Sequence, residues 1–227
     1  MPSLTVPRTD LPIRPPVWMH AAYAAAAAAM IFFAARALDP LPAAIVRGLP
    51  LGVLVAMALV PAFRGDRRAA RFVTALGLLA SLAGDVALPF EFLAGIGAFL
   101  LAHVLYLAAM GLPRARVAVQ SLALVPTAAF GVAMFRVLAP RLPAELFVPV
   151  VVYLTVISLM FARALGRVLA VPSEVSYVWM LVGAALFVAS DSLLALLRWG
   201  GLVLPYPHVA VLITYLAAQW AIVKSLD

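Results

Sequence analysis

The chain has 227 residues, 67% of them hydrophobic and 11% charged, with a mean hydropathy of +1.13. A soluble domain runs closer to about 45–50% apolar and 25% charged, and nine acidic residues cannot furnish a wet exterior, so a water-soluble fold is excluded and lipid is the outer solvent. The net charge of +7 would suggest nucleic acid in a soluble protein, but the sixteen Lys and Arg fall between apolar runs, where they read as topology signals and anionic-lipid contacts, with no nucleic-acid partner expected.

A spanning helix needs roughly 20 apolar residues. Eight such runs, bounded by Pro, Gly and Arg, predict an all-α, polytopic membrane bundle. The first, Val17 to Ala35, follows Arg8 and Arg14 as a signal peptide would, but its nineteen residues exceed a usual apolar core of about 7–15, so it is expected to stay as a helix. Its Ala24 to Ala29 tract suits close helix packing in lipid. The second, Val46 to Phe63, ends at the basic turn Arg64-Gly65-Asp66-Arg67-Arg68. The third, Phe72 to Leu88, carries Gly77, Ser81 and Asp85 at four-residue intervals, one stripe predicted to face the bundle interior. The fourth, Phe92 to Leu112, holds His103 and Tyr106 on one face, continued by Gly95 and Phe99.

The fifth run is Val117 to Leu138, followed by the Pro-bearing segment from Arg136 to Glu145. The sixth, Leu146 to Ala162, is short and has Pro149 near its start. The seventh, Tyr177 to Leu197, carries Phe187, Ser190 and Asp191, and the eighth, Pro207 to Val223, carries Tyr215 and Gln219 at i, i+4. No connection is long enough to fold separately, so residues 1–16 form a tail and 17–224 a single transmembrane domain. Assigning Lys and Arg to alternate sides gives eleven against five, which places both termini in the cytoplasm.

Asp85 and Asp191 are the informative residues. A charge at the bilayer centre costs roughly 2.5–3.5 kcal/mol unless it is protonated, paired or hydrated, and a structural protein has little reason to keep two. Each could instead bond a helix terminus. His103 could be a satisfied core residue, and Tyr215 with Gln219 could be helix glue. By the topology count the third and seventh helices run parallel, so both carboxylates can sit at similar depth, nearer the non-cytoplasmic face. Two carboxylates in so dry a place cannot easily both ionise, and one is expected to keep its proton. The chain has no Cys, and His20, His103 and His208 lie on separate segments without metal-ligand spacing. No metal or other cofactor is therefore expected. Phosphate-loop, dinucleotide and serine-elbow motifs are missing from the sequence.

Taken in order, Gly84-Asp85, the stretch from Gly95 through Phe99 to His103-Val104-Leu105-Tyr106, Phe187 to Ser190-Asp191-Ser192, and Tyr215 to Gln219 resemble the YhhN family of membrane proteins over nearly the whole chain. One departure is Leu216, where many members carry a second aromatic. The resemblance implies hydrolysis of the vinyl ether of a lysoplasmalogen to a fatty aldehyde and a glycerophospho-alcohol, a lysophospholipid being the substrate and the bilayer the setting. That chemistry suits two carboxylates, because protonation of the β-carbon gives an oxocarbenium ion that an ionised neighbour stabilises, as in glycosidases. Asp85 and Asp191 are then the expected catalytic pair. Ser81, His103, Tyr106, Ser190, Tyr215 and Gln219 are the expected binding residues.

Two rivals use the same aspartates. An intramembrane aspartyl protease would need Tyr-Asp and Gly-x-Gly-Asp, but Ser190 precedes Asp191 and Leu82 stands where the first glycine belongs. A proton-coupled transporter of lipids or small molecules would relay protons between them, although the Pro and Gly residues fall mostly at segment ends rather than breaking helices near the midplane. An Ala- and Arg-rich composition points to a GC-rich bacterial genome and hence to the inner membrane.

Overall fold

The computed structural model describes residues 14–35, 40–60, 67–111 and 116–227, and every regular element among them is helical. The helices are α1 (Val17–Ala35), α2 (Pro40–Leu59), α3 (Arg68–Ala87), α4 (Phe92–Met110), α5 (Val117–Ser121), α6 (Leu124–Leu138), α7 (Phe147–Ala170), α8 (Val175–Ala195) and α9 (Pro207–Lys224). The tail as far as residue 13, Arg36, Arg114 and most of the basic turn from Arg64 lie outside the described residues.

Six helical stretches among the described residues are long and apolar enough to cross a bilayer: those of α1, α3, α4, α5 with α6, α7 and α8. Most of α2 forms a shorter apolar helix. The helix α9 is less apolar because it lies at the centre of the bundle. Its Tyr215, Leu216, Ala218, Gln219, Ala221, Ile222 and Val223 are all buried, packed chiefly against α8 and also against α1 and α2. A helix surrounded by protein rather than lipid can carry polar side chains where a lipid-facing one cannot.

Two predicted segments differ from what is observed. The fifth is broken at Leu122–Ala123. Pro126 has no N–H for the Leu122 carbonyl, which instead takes a tighter bond from Val125 N at 3.3 Å, and the Thr127 hydroxyl reaches the Ala123 carbonyl at 2.6 Å. The sixth is not short, since α7 runs 24 residues. Pro149 falls in its first turn, where a missing N–H costs no intrahelical bond. Its far end continues through Arg163 and Arg167, which were expected in a loop.

The stripe on α3 does face inward. A Cβ on Gly77 would collide with the Tyr106 ring, and one on Gly84 would lie 2.7 Å from the Phe99 ring, so the missing side chains let α3 and α4 close on each other. At the end of the bundle where α3 begins and α4 ends, arginines bond helix-terminal carbonyls. Arg71 reaches the Leu226 carbonyl at 2.6 Å and Arg67 that of Ser225 at 3.3 Å. Arg163 and Arg167 reach Gly111 and Met110 at 2.8 and 2.7 Å, and Arg116 reaches Ala170 at 2.8 Å. These bonds satisfy carbonyls that helix ends otherwise leave open.

A candidate active site at the open end of the bundle

The opposite end holds a cavity of about 1070 Å³, lined largely by apolar side chains from α1, α4, α6, α7, α8 and α9. That is near the upper end of the range of roughly 300–1,000 Å³ for small-molecule sites. Asp85, from the last turn of α3, and Asp191, near the end of α8, both line it.

Each carboxylate is held by a tyrosine from another helix. Tyr215 on α9 donates to Asp85 Oδ2 at 2.7 Å, and Tyr153 on α7 donates to Asp191 Oδ2 at 2.6 Å. Both tyrosines also line the cavity. Asp191 has a second neighbour. His103 Nδ1 lies 2.7 Å from the Phe99 carbonyl, an acceptor only, so that nitrogen carries the proton. Its Nε2 is then a lone pair, or a second N–H, directed at Asp191 Oδ2 3.6 Å away. That nitrogen is fully buried and has no hydrogen-bond partner among the described residues. At 3.6 Å the two groups are close neighbours without a hydrogen bond between them.

Behind this wall runs a dry polar chain. Tyr106 donates to Gln219 Oε1 at 2.6 Å, so the Ser81 hydroxyl, 3.3 Å from the same phenol oxygen, must be the donor in that contact. Gln219 Nε2 is buried without a partner among the described residues. Phe187, wholly buried, packs its ring against His103, Tyr106 and Tyr215 with centroids 4.8, 5.9 and 5.7 Å away, fixing all three.

The eight residues singled out by sequence therefore separate into two groups. Asp85, Asp191, Ser190 and Tyr215 line the cavity. Ser81, His103, Tyr106 and Gln219 are packed behind it, each 0% exposed, and bear on it through their neighbours. Ser190 donates its hydroxyl to the Val211 carbonyl at 3.1 Å, joining α8 to α9. Sequence reasoning missed Tyr153, the one tyrosine in the sixth run and the hydrogen-bond partner of Asp191. It also missed Arg198, Trp199 and His208, which form part of the lining. Arg198 had a signal, as the lone cation between the seventh and eighth runs.

The YhhN family model matches residues 42–226. A pig (Sus scrofa) protein named lysoplasmalogenase TMEM86B is 35% identical over 154 residues, which is 66% of this chain and 61% of the relative. Proteins named lysoplasmalogenase from Mycobacterium bovis and Mycobacterium tuberculosis are each 37% identical over 132 residues, 54% of this chain and 48% of theirs. The chain thus matches about half to three-fifths of the length of these curated relatives. No solved structure matches it. The chain belongs to the YhhN family, as its motifs suggested.

Proposed function

We propose that this integral membrane protein is a lysoplasmalogenase-like hydrolase that cleaves the vinyl ether of a lysophospholipid with Asp191 and Asp85. The observation that carries the reading is the pair of tyrosine-anchored carboxylates, from two different helices, on the wall of one large apolar cavity. An alkenyl chain has the chemistry to fill such a cavity, and a vinyl ether resists base but yields to acid.

Asp191, with His103 as its buried neighbour, is the acid. It protonates the β-carbon of the alkenyl group, and the ether oxygen stabilises the adjacent cation. Asp85, with Tyr215, stays ionised, steadies the oxocarbenium ion and takes a proton from the attacking water. The hemiacetal so formed collapses to the aldehyde and the free glycerol hydroxyl, so one water is consumed and no redox change occurs. Tyr153 orients Asp191, while the chain Ser81–Tyr106–Gln219 and the Phe187 ring keep His103 and Tyr215 in place.

The same reading takes all eight predicted runs as spans of one domain, 17–224, with α5 and α6 as a single broken crossing. It puts the arginine end and both termini in the cytoplasm of a bacterial inner membrane, and the cavity toward the other face. The test is aldehyde release from a lyso vinyl-ether phospholipid by purified wild type, Asp85→Asn and Asp191→Asn, with and without a chelator. Release by wild type alone, unchanged by the chelator, is the expected result. Near wild-type rates in either folded Asn variant would sink the two-aspartate mechanism.

A further inference from the structure

The reacting end of the cavity leaves open what holds the polar end of the lipid. After Ala195 the helix α8 widens into a single π-type turn, Leu196–Gly200, and stops where Gly201, at φ +76°, turns the chain back so that Leu202 N bonds the Leu196 carbonyl at 3.1 Å. Such turns are frequent at functional sites. Here the turn presents Arg198 at the lip of the cavity, with Trp199 beside it.

The guanidinium lies over the Phe92 ring, 4.0 Å from its centroid, and 5.5 Å from that of Trp199; these two rings meet edge to face at 5.4 Å. Contact with the two rings restrains the guanidinium without using any of its five N–H donors as a conventional hydrogen bond. Among the described residues no acceptor takes a hydrogen bond from Arg198. The arginines at the other end contrast with it, because they are committed to carbonyls, and so is nearby Arg141, whose Nη1 lies 3.5 Å from the Gly200 carbonyl. His208, from the first turn of α9, lines the same cavity. Arg198 is therefore the cation in the lining that has a planar fork of donors to offer.

The spacing fits a glycerophospholipid. Arg198 follows Asp191 by seven residues, on the order of 10 Å along the helix axis, and both line the cavity. Six covalent bonds separate the ether-bearing vinyl carbon from the phosphorus across the glycerol, a span on the order of 7 Å at ordinary bond lengths. Two side chains reaching toward a substrate between them can cover the difference.

We propose that Arg198 binds the phosphate of the lysophospholipid and makes the lip of the cavity its headgroup subsite. This rests on the hydrolase reading for the identity of the lipid. The phosphodiester accepts from the guanidinium edge while the glycerol carries the ether down to Asp191, so Arg198 sets specificity and register rather than performing chemistry.

The test measures binding and turnover separately, on the full chain in detergent. Native mass spectrometry compares a lysophosphatidylethanolamine with the monoacylglycerol of the same chain, for wild type, Arg198→Met and Arg198→Lys. Methionine keeps the packing over Phe92 and removes the charge, and thermal unfolding checks the fold of both variants. Wild type is expected to prefer the phospholipid. Arg198→Met should lose about 10- to 150-fold of its affinity for it, with no change for the monoacylglycerol, as expected for lost charged hydrogen bonds. Arg198→Lys should retain part of the preference. In turnover, KM for the phospholipid rises by about the same factor in Arg198→Met, a larger change than the accompanying fall in kcat from lost register. Equal binding of both lipids by wild type, or an unchanged preference in Arg198→Met, overturns the inference. Full displacement by millimolar inorganic phosphate overturns it as well, by assigning the site to a free anion. If wild type releases no aldehyde yet shows the phosphate preference, the hydrolase reading fails while Arg198 keeps its role.

Discussion

The two ends of the bundle use charge in opposite ways. At the arginine end, Arg67, Arg71, Arg116, Arg163 and Arg167 each donate to a backbone carbonyl at a helix terminus, and Lys224 is paired with Asp227 at 2.9 Å. Those charges complete helices and tie α3 to the C-terminus and α4 to α7. At the cavity end, Asp85 and Asp191 take tyrosine hydroxyls and face open space, His103 keeps an unpartnered nitrogen, and Arg198 rests on two rings. A buried polar group without a partner costs about 1–3 kcal/mol, and each end carries some, Arg71 Nη1 and Asp227 Oδ1 at the first and His103 Nε2 and Gln219 Nε2 at the second. The ends differ in that the arginines are tied to helix-terminal carbonyls while Asp85, Asp191 and Arg198 line a cavity. Breaking contacts at the first end should cost stability. Breaking them at the second should cost rate.

The largest effect expected is at His103, the neighbour of Asp191. His103→Ala should lower kcat for aldehyde release by about 10²–10⁴-fold, the usual worth of a positioned acid. On the proposed assignment His103 acts through Asp191, so adding Asp191→Asn should cost little more, within about threefold. Multiplying losses in the double variant would show that the two act independently and would break the assignment of the acid. A tenth to a hundredth of that effect separates the tyrosines. Tyr153→Phe and Tyr215→Phe each remove one hydrogen bond to a carboxylate, worth about 1.5–3 kcal/mol, so each should reduce kcat by about 10- to 150-fold with thermal stability nearly unchanged.

Sequence made the cavity end legible through its violations. Asp85 and Asp191 stood out because lipid penalises them, and the i, i+4 spacing of Gly77, Ser81 and Asp85 predicted an inward stripe that the close approach of Tyr106 to Gly77 bears out. His103, Tyr106, Tyr215 and Gln219 were found the same way, as polar groups inside apolar runs. Periodicity could not say which of them would touch the cavity and which would sit a layer behind, because helical phase gives a face and not a depth. Tyr153 escaped notice because a tyrosine in an apolar run carries no penalty that sets it apart from packing. The arginine end was read as topology, yet Arg71, Arg163 and Arg167 belong to the helices rather than the loops, where their long stems let them lie along apolar surface and still reach carbonyls.

Arg71→Ala sharpens the comparison from the closed end. It removes the bond to the Leu226 carbonyl and the cation 3.7 Å from Asp227, both in a nearly buried setting. The expected cost is about 1–3 kcal/mol, seen as a lower unfolding temperature in detergent, with kcat per folded molecule unchanged. A loss of kcat at full stability would mean that the two ends are coupled, and the division between them would fail.

The smallest effect belongs to Gly201, which sits between the two regimes as a structural residue at the cavity lip. Its φ of +76° is one that a Cβ disfavours by roughly 1–2 kcal/mol, while the space around it is open, with the nearest atom, Arg141 Cζ, 3.9 Å from where that Cβ would be. Strain in the backbone is therefore the only cost, and Gly201→Asn should be milder than Gly201→Ala because asparagine visits this conformation more readily. The chain reversal after α8 fixes where Arg198 stands. Relief of the strain by a small rotation should move the guanidinium and raise KM about two- to fivefold in the alanine variant, an energy below 1 kcal/mol. Equal KM in Gly201→Ala, Gly201→Asn and wild type would show that the turn holds Arg198 without help from glycine, leaving the rings of Phe92 and Trp199 to place it.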